Sequence, residues 1–155
     1  MEAVLASFIA VLGTLLGSGA THLFQRRSDE RSAHFTRGER LRQERIDAYC
    51  AYAGAFLDYR RVIVHRWFVT HENRRDEDTP ELRETVYKLR YAAQEAMFRA
   101  QMVSDDPALV ELTEHVLGSL ADMERAGDRE QLAELRAVSR QRLRDFVATV
   151  TPQVR

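Results

Sequence analysis

The stretch IDAYCAYAGAFLDYRRVIVHRWF, residues 46–68, decides the fold that the sequence predicts. Most of its apolar residues recur at steps of three or four positions, and arginine and aspartate occupy positions between them. Because an α-helix has about 3.6 residues per turn, this spacing places the apolar side chains on one helical face. Such a face has to be buried, so the sequence predicts that other helices pack against this one.

The chain continues with three more segments of helical periodicity. They cover residues 80 to about 103, 107 to about 126, and 128 to about 150. Thr79 and Asp106 each precede a proline, which favours an N-cap followed by proline in the first helical turn, and Gly127 offers a left-handed residue after the third helix. Because the connections are short and no strand-like alternation separates the segments, we expect an antiparallel bundle of about four helices over residues 41–150, followed by a tail at 151–155.

The composition is that of a folded, nearly neutral protein. Hydrophobic residues make up 45% and charged residues 30% of the 155-residue chain, which is globular rather than disordered composition. The formal net charge is −1, so the chain as a whole has no positive field that would attract nucleic acid. We therefore expect no nucleic-acid partner, and any electrostatic partner has to be recruited by a local patch.

The N-terminal segment predicts a transmembrane helix, assigned to residues 1–24. Residues 3–24 contain no Asp, Glu, Lys or Arg, and as a helix these 22 residues reach about 33 Å at about 1.5 Å per residue. This length is sufficient for the hydrocarbon core of a bilayer. A charged juxtamembrane stalk at residues 25–40 then leads to the bundle.

Three other interpretations of the apolar N-terminal run are a cleavable signal peptide, a buried helix and an interfacial helix, and the interfacial helix would also need a charged face. A cleavable signal peptide normally begins with positive charge, whereas this chain opens with Met1 and Glu2 and places its first arginines after the run. A helix buried by the protein or by partner subunits usually has a charged face at helical spacing, and the run contains no such face. The membrane-spanning helix is the interpretation that fits both observations.

The distribution of arginine around the predicted span indicates its orientation. Seven arginines lie between residues 25 and 45, beginning with Arg26, Arg27 and Arg31, whereas the N-terminal flank contributes Glu2 and the α-amino group. Positive residues accumulate on the cytoplasmic side of membrane helices, so we expect a single-pass protein of the cell membrane with its C-terminal domain in the cytoplasm. The alternative explanation of the cluster is a modest attraction for anionic lipid headgroups.

Two glycines indicate how the predicted span packs. Gly13 and Gly17 are four residues apart, and Ala6, Ala10 and Thr21 continue nearly the same face with small side chains. A groove of small residues lets two membrane helices approach closely. We therefore predict self-association through Gly13 and Gly17, with simple tolerance of glycine in a membrane helix as the alternative.

Aromatic residues are concentrated along one side of the helix that begins near residue 41. The steps between them are mostly three or four residues, and the candidates for an interface are Tyr49, Tyr52, Phe56, Tyr59 and Trp67. The stripe has two explanations, which are the core of the bundle and a surface for a ligand or a partner helix. The core accounts for most of it, while its length leaves aromatic surface for an interface.

The residues that usually carry catalysis or metal binding show no spacing typical of such sites. None of the five histidines belongs to a Glu-x-x-His pair, and Glu111 with His115 is a single i, i+4 pair. Cys50 lies beside Tyr49 in the apolar pattern, so we predict a buried, unreactive thiol. We expect a non-enzymatic protein with no metal, no cofactor and no small-molecule substrate.

Several short motifs resemble a group of small, uncharacterised actinobacterial proteins. The motifs are Leu12–Gly17, Phe24–Arg27, Arg40–Arg45 and Ala48–Tyr52, which read LGTLLG, FQRR, RLRQER and AYCAY. The resemblance implies one N-terminal membrane span followed by an Arg/Glu-rich helical cytoplasmic domain. It implies no activity, cofactor or site residue.

The sequence leads to two functional hypotheses. In the first, the chain is a non-enzymatic membrane-tethered interaction or scaffold module, whose partners are the lipid bilayer and either a second copy of itself or another helical protein. In the second, it is a small membrane-acting effector of the lysis or toxin type that oligomerises through its Gly-rich span. Induced expression separates the two hypotheses, because only the effector should depolarise cells.

Overall fold

The computed structural model describes the backbone of residues 2–72 and 74–155, and the side chains of residues 36–72, 74 and 76–155. All regular structure within these ranges is helical. The long helices are α1 Glu2–His71, α2 Pro80–Met102, α3 Pro107–Glu124 and α4 Arg129–Val150, and short 3-10 helices occupy Arg75–Glu77 and Thr151–Val154. The prediction of an all-α chain is confirmed.

The chain divides into two compact units, Met1–Arg40 and Leu41–Arg155. Side chains are described for nearly all of the second unit, which contains the bundle. Among the described side chains, no helical segment combines the length and the apolar character needed to cross a membrane. The predicted span at residues 3–24 lies outside the described side chains and stays a prediction.

The starts of α2 and α3 are fixed by the caps that the sequence predicts. The Thr79 side chain accepts a hydrogen bond from the Leu82 N–H at 3.2 Å, and Asp106 accepts one from the Ala108 N–H at 3.0 Å. In both helices proline follows the cap directly, where its missing N–H costs no intrahelical hydrogen bond. The predictions for these two helix starts are confirmed.

The end of α3 differs from the prediction at Gly127. The helix ends at Glu124 and is capped by Arg125, whose φ of −92° is right-handed. Gly127 instead donates its N–H to Oε1 of Gln131 at 2.7 Å, while Asp128 accepts a hydrogen bond from the N–H of Gln131 at 2.8 Å. This reciprocal arrangement resembles a capping box, so Gly127 belongs to the start of α4 rather than to the end of α3.

The core of the second unit is built on the aromatic face of α1. Tyr49 and Tyr52 both contact Phe146 of α4 edge to face, with ring centroids 6.0 and 5.1 Å apart. Such aromatic pairs add about 0.5–1.5 kcal/mol beyond the burial of their surface. From α3, Leu120 and Met123 are completely buried in the same cluster. The three helices α1, α3 and α4 therefore share one core.

Two buried hydrogen bonds tie α1 to α3. The Tyr52 hydroxyl donates to the Thr113 carbonyl at 2.7 Å, and the Trp67 indole N–H donates to the Ala126 carbonyl, just beyond α3, at 2.7 Å. Buried polar groups need such partners, and these bonds satisfy the phenol and the indole. Because the two bonds follow the same order along both helices, α1 and α3 run in the same direction. This is expected when successive helices are antiparallel, since every second helix then has the same direction.

Two arginines of α1 bind backbone carbonyl groups at the ends of other helices. Arg45 donates from Nε to the Val103 carbonyl at 2.9 Å, and it also pairs with Asp105. Arg42 donates from Nε to the Val154 carbonyl at 2.7 Å. Carbonyls at the end of a helix lack an intrahelical donor and carry partial negative charge, so a guanidinium is a favourable partner. These bonds hold the end of α2 and the C-terminal segment against α1.

The buried face of α1 excludes two residues that the sequence placed in it. Cys50 is exposed, and the Leu57 side chain is 49% exposed. Each follows a core residue, Tyr49 or Phe56, by one position, and this step is a rotation of about 100° around a helix. The buried face is therefore narrower than the apolar pattern, and the prediction of a buried thiol at Cys50 is wrong.

Leu120 and Leu57 provide a matched test of this core. Leu120 of α3 is completely buried, whereas Leu57 of α1 is 49% exposed. Because Leu120→Ala leaves a cavity among core side chains, we expect the free energy of unfolding to fall by about 2–5 kcal/mol. Leu57→Ala should lower it by less than about 1 kcal/mol. Urea denaturation followed by circular dichroism measures both, and equal losses would contradict the core described here.

Candidate interaction surfaces

Five residues that the sequence indicated as functional lie outside the described side chains. They are Gly13, Gly17, Arg26, Arg27 and Arg31. Packing of the span through the glycines and orientation of the span by the arginines therefore stay predictions.

The aromatic stripe of α1 lies inside the bundle. Exposed fractions are at most 4% for each of its members, Tyr49, Tyr52, Phe56, Tyr59 and Trp67. Helices of the same chain cover these rings through the hydrogen bonds to α3 and the ring contacts with α4. The stripe is therefore core, the first of its two explanations, and a partner surface has to be sought elsewhere.

Glu124 lines two neighbouring parts of a cleft beside α1 and α3. One part of about 220 Å³ is mainly apolar and is also bordered by Tyr59, Arg90 and Glu114, and the other part of about 270 Å³ is bordered by Arg66. Burial and the negative charge of Glu124 raise the pKa of Tyr59 from 10.0 to about 12. The Tyr59 hydroxyl therefore keeps its proton at physiological pH and acts as a hydrogen-bonding group.

The cleft offers polar contacts of both signs. Among the described residues, the buried Nε atom of Arg66 has no hydrogen-bond partner, and the carboxylate of Glu124 lines the same part of the cleft. This combination suits a water molecule or another small polar group. Among the residues with described side chains, no three histidine, cysteine, aspartate or glutamate residues form a group that could hold a metal.

The outer face of α2 presents large apolar side chains to solvent. Four of them have exposed fractions between 54% and 79%, and they are Tyr87, Tyr91, Phe98 and Met102. Their spacing of four, seven and four residues places them within about 60° of one another around the helix. The opposite face of α2 packs into the bundle through Val86, Ala93, Met97 and Ala100. This helix is apolar on two sides, and the other helices of the bundle cover only one of these sides.

A shallow apolar groove borders the outer face of α2. It lies between α1 and α2 and has a volume of about 600 Å³. Small side chains from both helices line it, namely Ala51, Ala55, Ala92 and Ala96, together with Phe98 and Met102. Small residues beside large exposed ones create a surface relief into which the side chains of another helix can pack.

The sequence predictions did not include the outer face of α2. The predicted helix over residues 80 to about 103 rests on its helical periodicity alone. That prediction does not include a second apolar series on the other side of the helix. That series is present in the sequence, since Tyr87, Tyr91, Phe98 and Met102 follow one another at helical steps. Helical spacing of apolar residues on both sides of one helix is the signal that indicates such a second face.

Comparison with known proteins assigns the chain to a family. Residues 46–154 match the family of KilB plasmid transfer proteins. Because this match covers more than half of the 155 residues, the chain belongs to that family. No curated protein and no solved structure matches the chain. Of the motifs that resemble actinobacterial proteins, Ala48–Tyr52 lies within the match and the others lie before it, so an actinobacterial origin stays a prediction.

The buried phenols of α1 predict a loss of stability in alkaline solution. The pKa of Tyr59 rises from 10.0 to about 12 on folding, and burial also raises the pKa of Tyr52. Because the folded state binds the Tyr59 proton more tightly, its stabilising effect is complete below the unfolded pKa of 10.0 and is lost as the pH rises through about 12. The free energy of unfolding should decline over this range, and Tyr59→Phe should make the decline shallower.

Urea denaturation at a series of pH values measures this decline. Tyr87→Phe is the matched control, because Tyr87 is 61% exposed on α2 and its removal should leave the decline unchanged. An equally steep decline in Tyr59→Phe and in the parent chain would contradict the environment assigned to Tyr59.

Proposed function

We propose that this member of the KilB plasmid transfer family is a non-enzymatic helical interaction module that serves plasmid transfer at the cell membrane. The observation that carries the proposal is the outer face of α2, where four large apolar side chains are exposed on a folded helical domain. The family supports plasmid transfer as the process in which the chain acts. The exposed face supports binding to another protein as the mode of action.

The residue types on the outer face of α2 support a protein partner. Tyrosine, phenylalanine and methionine are enriched in the centres of protein interfaces, where binding removes them from water. Removing apolar surface from water contributes about 25 cal/mol per Å². Tyr91 and Met102 are 69% and 79% exposed, so much of their surface is available for this gain.

The charges around the outer face support a protein partner over nucleic acid. Exposed charged residues of both signs occur along α2, and they are Glu81, Arg83, Glu84, Lys88, Arg90, Glu95 and Arg99. A surface that binds nucleic acid by its phosphates needs clustered positive charge. The proposed partners are therefore another helical protein or a second copy of the chain, and neither nucleic acid nor a small-molecule substrate is part of the proposal.

A membrane tether is the second part of the proposal. It is supported by the charge-free run at residues 3–24 and by the arginines that follow this run. The lipid bilayer is the proposed partner of this segment, and the helical domain is proposed to face the cytoplasm. Because plasmid transfer moves DNA across the cell envelope, a tether would hold the interaction surface where that movement takes place.

A plasmid that lacks the coding sequence of this chain allows a functional test. The full chain supplied in trans should restore transfer to recipient cells. Tyr91→Glu introduces a charge at the centre of the outer face of α2, so it should reduce transfer at least about tenfold at an unchanged protein level. The frequency of transfer per donor cell measures the effect, and plasmid copy number in the donor separates transfer from maintenance.

Val147→Glu is the matched control for this test. Val147 is 47% exposed on α4, away from the outer face of α2, and its replacement should leave transfer unchanged. Normal transfer by Tyr91→Glu would remove the support for an interaction surface on α2.

The membrane tether predicts a defined topology. With a tag at the C terminus, protease added to intact spheroplasts should leave the tag undigested, because the proposed orientation places it in the cytoplasm. A chain without residues 3–24 should be recovered in the soluble fraction. Digestion of the tag would overturn the orientation, and membrane retention of the shortened chain would overturn the tether.

A further inference from the structure

We infer that the partner of the outer face of α2 is a second copy of this chain. The two α2 helices pair antiparallel about a two-fold axis that passes between Tyr91 and Ala92. This inference rests on the proposed function, because it names the partner of the surface on which that proposal depends. Its support is the order of charged and apolar side chains along the exposed side of α2.

Four exposed charged residues along one side of α2 are ordered so that this side complements itself when the helix is reversed. Glu84, Lys88, Glu95 and Arg99 are all exposed. In the antiparallel pair, Glu84 of one copy lies level with Arg99 of the other, since both are equally far from the axis. Lys88 lies level with Glu95 for the same reason. The two-fold symmetry repeats each pair, so opposite charges meet on both sides of the axis.

Arrangements shifted by four residues bring like charges together. Shifting one helix by four residues in one direction sets Lys88 level with Arg99, and shifting it in the other direction sets Glu84 level with Glu95. In a parallel pair, each charged residue lies level with its own copy. Like charges across an interface are unfavourable, so the order of charges favours the antiparallel arrangement centred beside Tyr91 over these three.

The apolar residues of the outer face fit the same arrangement. Tyr91, which is 69% exposed, lies beside the axis. Tyr87 lies on the same face of α2, about one helical turn before Tyr91. On the other side of the axis, Phe98 continues the outer face of α2. Pairing would therefore remove from water the aromatic rings that the single chain leaves exposed.

Position-specific cross-linking tests this geometry in cells that express the full chain. The exposed Cys50 is first replaced with serine, and a single cysteine is introduced by Ala92→Cys or by Met102→Cys. In the antiparallel pair, the two copies of residue 92 lie beside the axis, whereas the two copies of residue 102 are about 30 Å apart along the helices. A short bismaleimide should join the Ala92→Cys chains and leave the Met102→Cys chains as monomers.

A parallel pair or random collisions would give a different cross-linking pattern. Both would join the chains at residue 102 as readily as at residue 92. Equal cross-linking at the two positions, or no cross-linking at residue 92, would overturn the inference.

Charge reversal in the Ala92→Cys chain tests the pairing itself. Glu84→Arg sets an arginine level with Arg99 of the other copy, and Arg99→Glu sets a glutamate level with Glu84. Each single reversal should lower the yield of cross-linked dimer at least about fivefold. The chain with both reversals regains opposite charges across the interface, so its yield should return to that of the parent.

Interactions within one helix cannot produce this recovery. Glu84 is four residues from Lys88, and Arg99 is four residues from Glu95, so each reversal brings like charges together within its own helix. The double variant contains both of these unfavourable pairs, and its recovery can come only from the contact between copies. A double variant that stays at the yield of the single variants, with unchanged helix content by circular dichroism, would overturn the inference.

The further inference and the proposed function fail in distinguishable ways. Cross-linking in whole cells depends neither on the membrane tether nor on plasmid transfer. If Tyr91→Glu abolishes transfer and Ala92→Cys gives no cross-link, self-pairing is overturned while the outer face of α2 keeps its role. If the cross-links follow the expected pattern and Tyr91→Glu transfers the plasmid normally, self-pairing is supported and the proposed function is overturned.

Discussion

Burial of the aromatic face of α1 is the constraint on which the rest of the structure depends. Tyr52 and Trp67 place large rings in the core, and each also buries a polar hydrogen that needs an acceptor. The carbonyls of Thr113 and Ala126 provide these acceptors at two points along α3, which fixes the position of α3 along α1. Phe146 of α4 packs edge to face against the same aromatic face, so one face of one helix positions two others.

The exposure of α2 follows from this arrangement. Its inward side is buried through Val86 and Met97 with two alanines, and Arg45 of α1 binds the carbonyl of Val103 at its end. These contacts occupy one side of α2 and leave Tyr87 and Tyr91 in water on the other. Large aromatic residues gain nothing from the chain's own core at such positions, and the proposed partner would bury them.

Different residues of the bundle determine its stability and its proposed assembly. Substitutions at Leu120 act on the stability of the bundle, because this side chain is completely buried. Glu84 and Arg99 are exposed, so reversing their charge should leave the core intact and would act on the proposed contact between copies. Within the KilB plasmid transfer family, this division would let the helical domain fold as a single chain and then use α2 for recognition.

The sequence by itself determined the all-α class and the starts of α2 and α3, because helical spacing and the caps at Thr79 and Asp106 act within a few residues. Only the tertiary structure decided which apolar residues are buried. Cys50 and Leu57 belong to the apolar pattern of α1 and are nevertheless exposed, since α3 and α4 cover a narrower part of that helix. The tertiary structure also decided which apolar side of α2 its own bundle covers. The sequence contains apolar residues at helical spacing on both sides of this helix, and burial depends on the positions of helices distant in sequence.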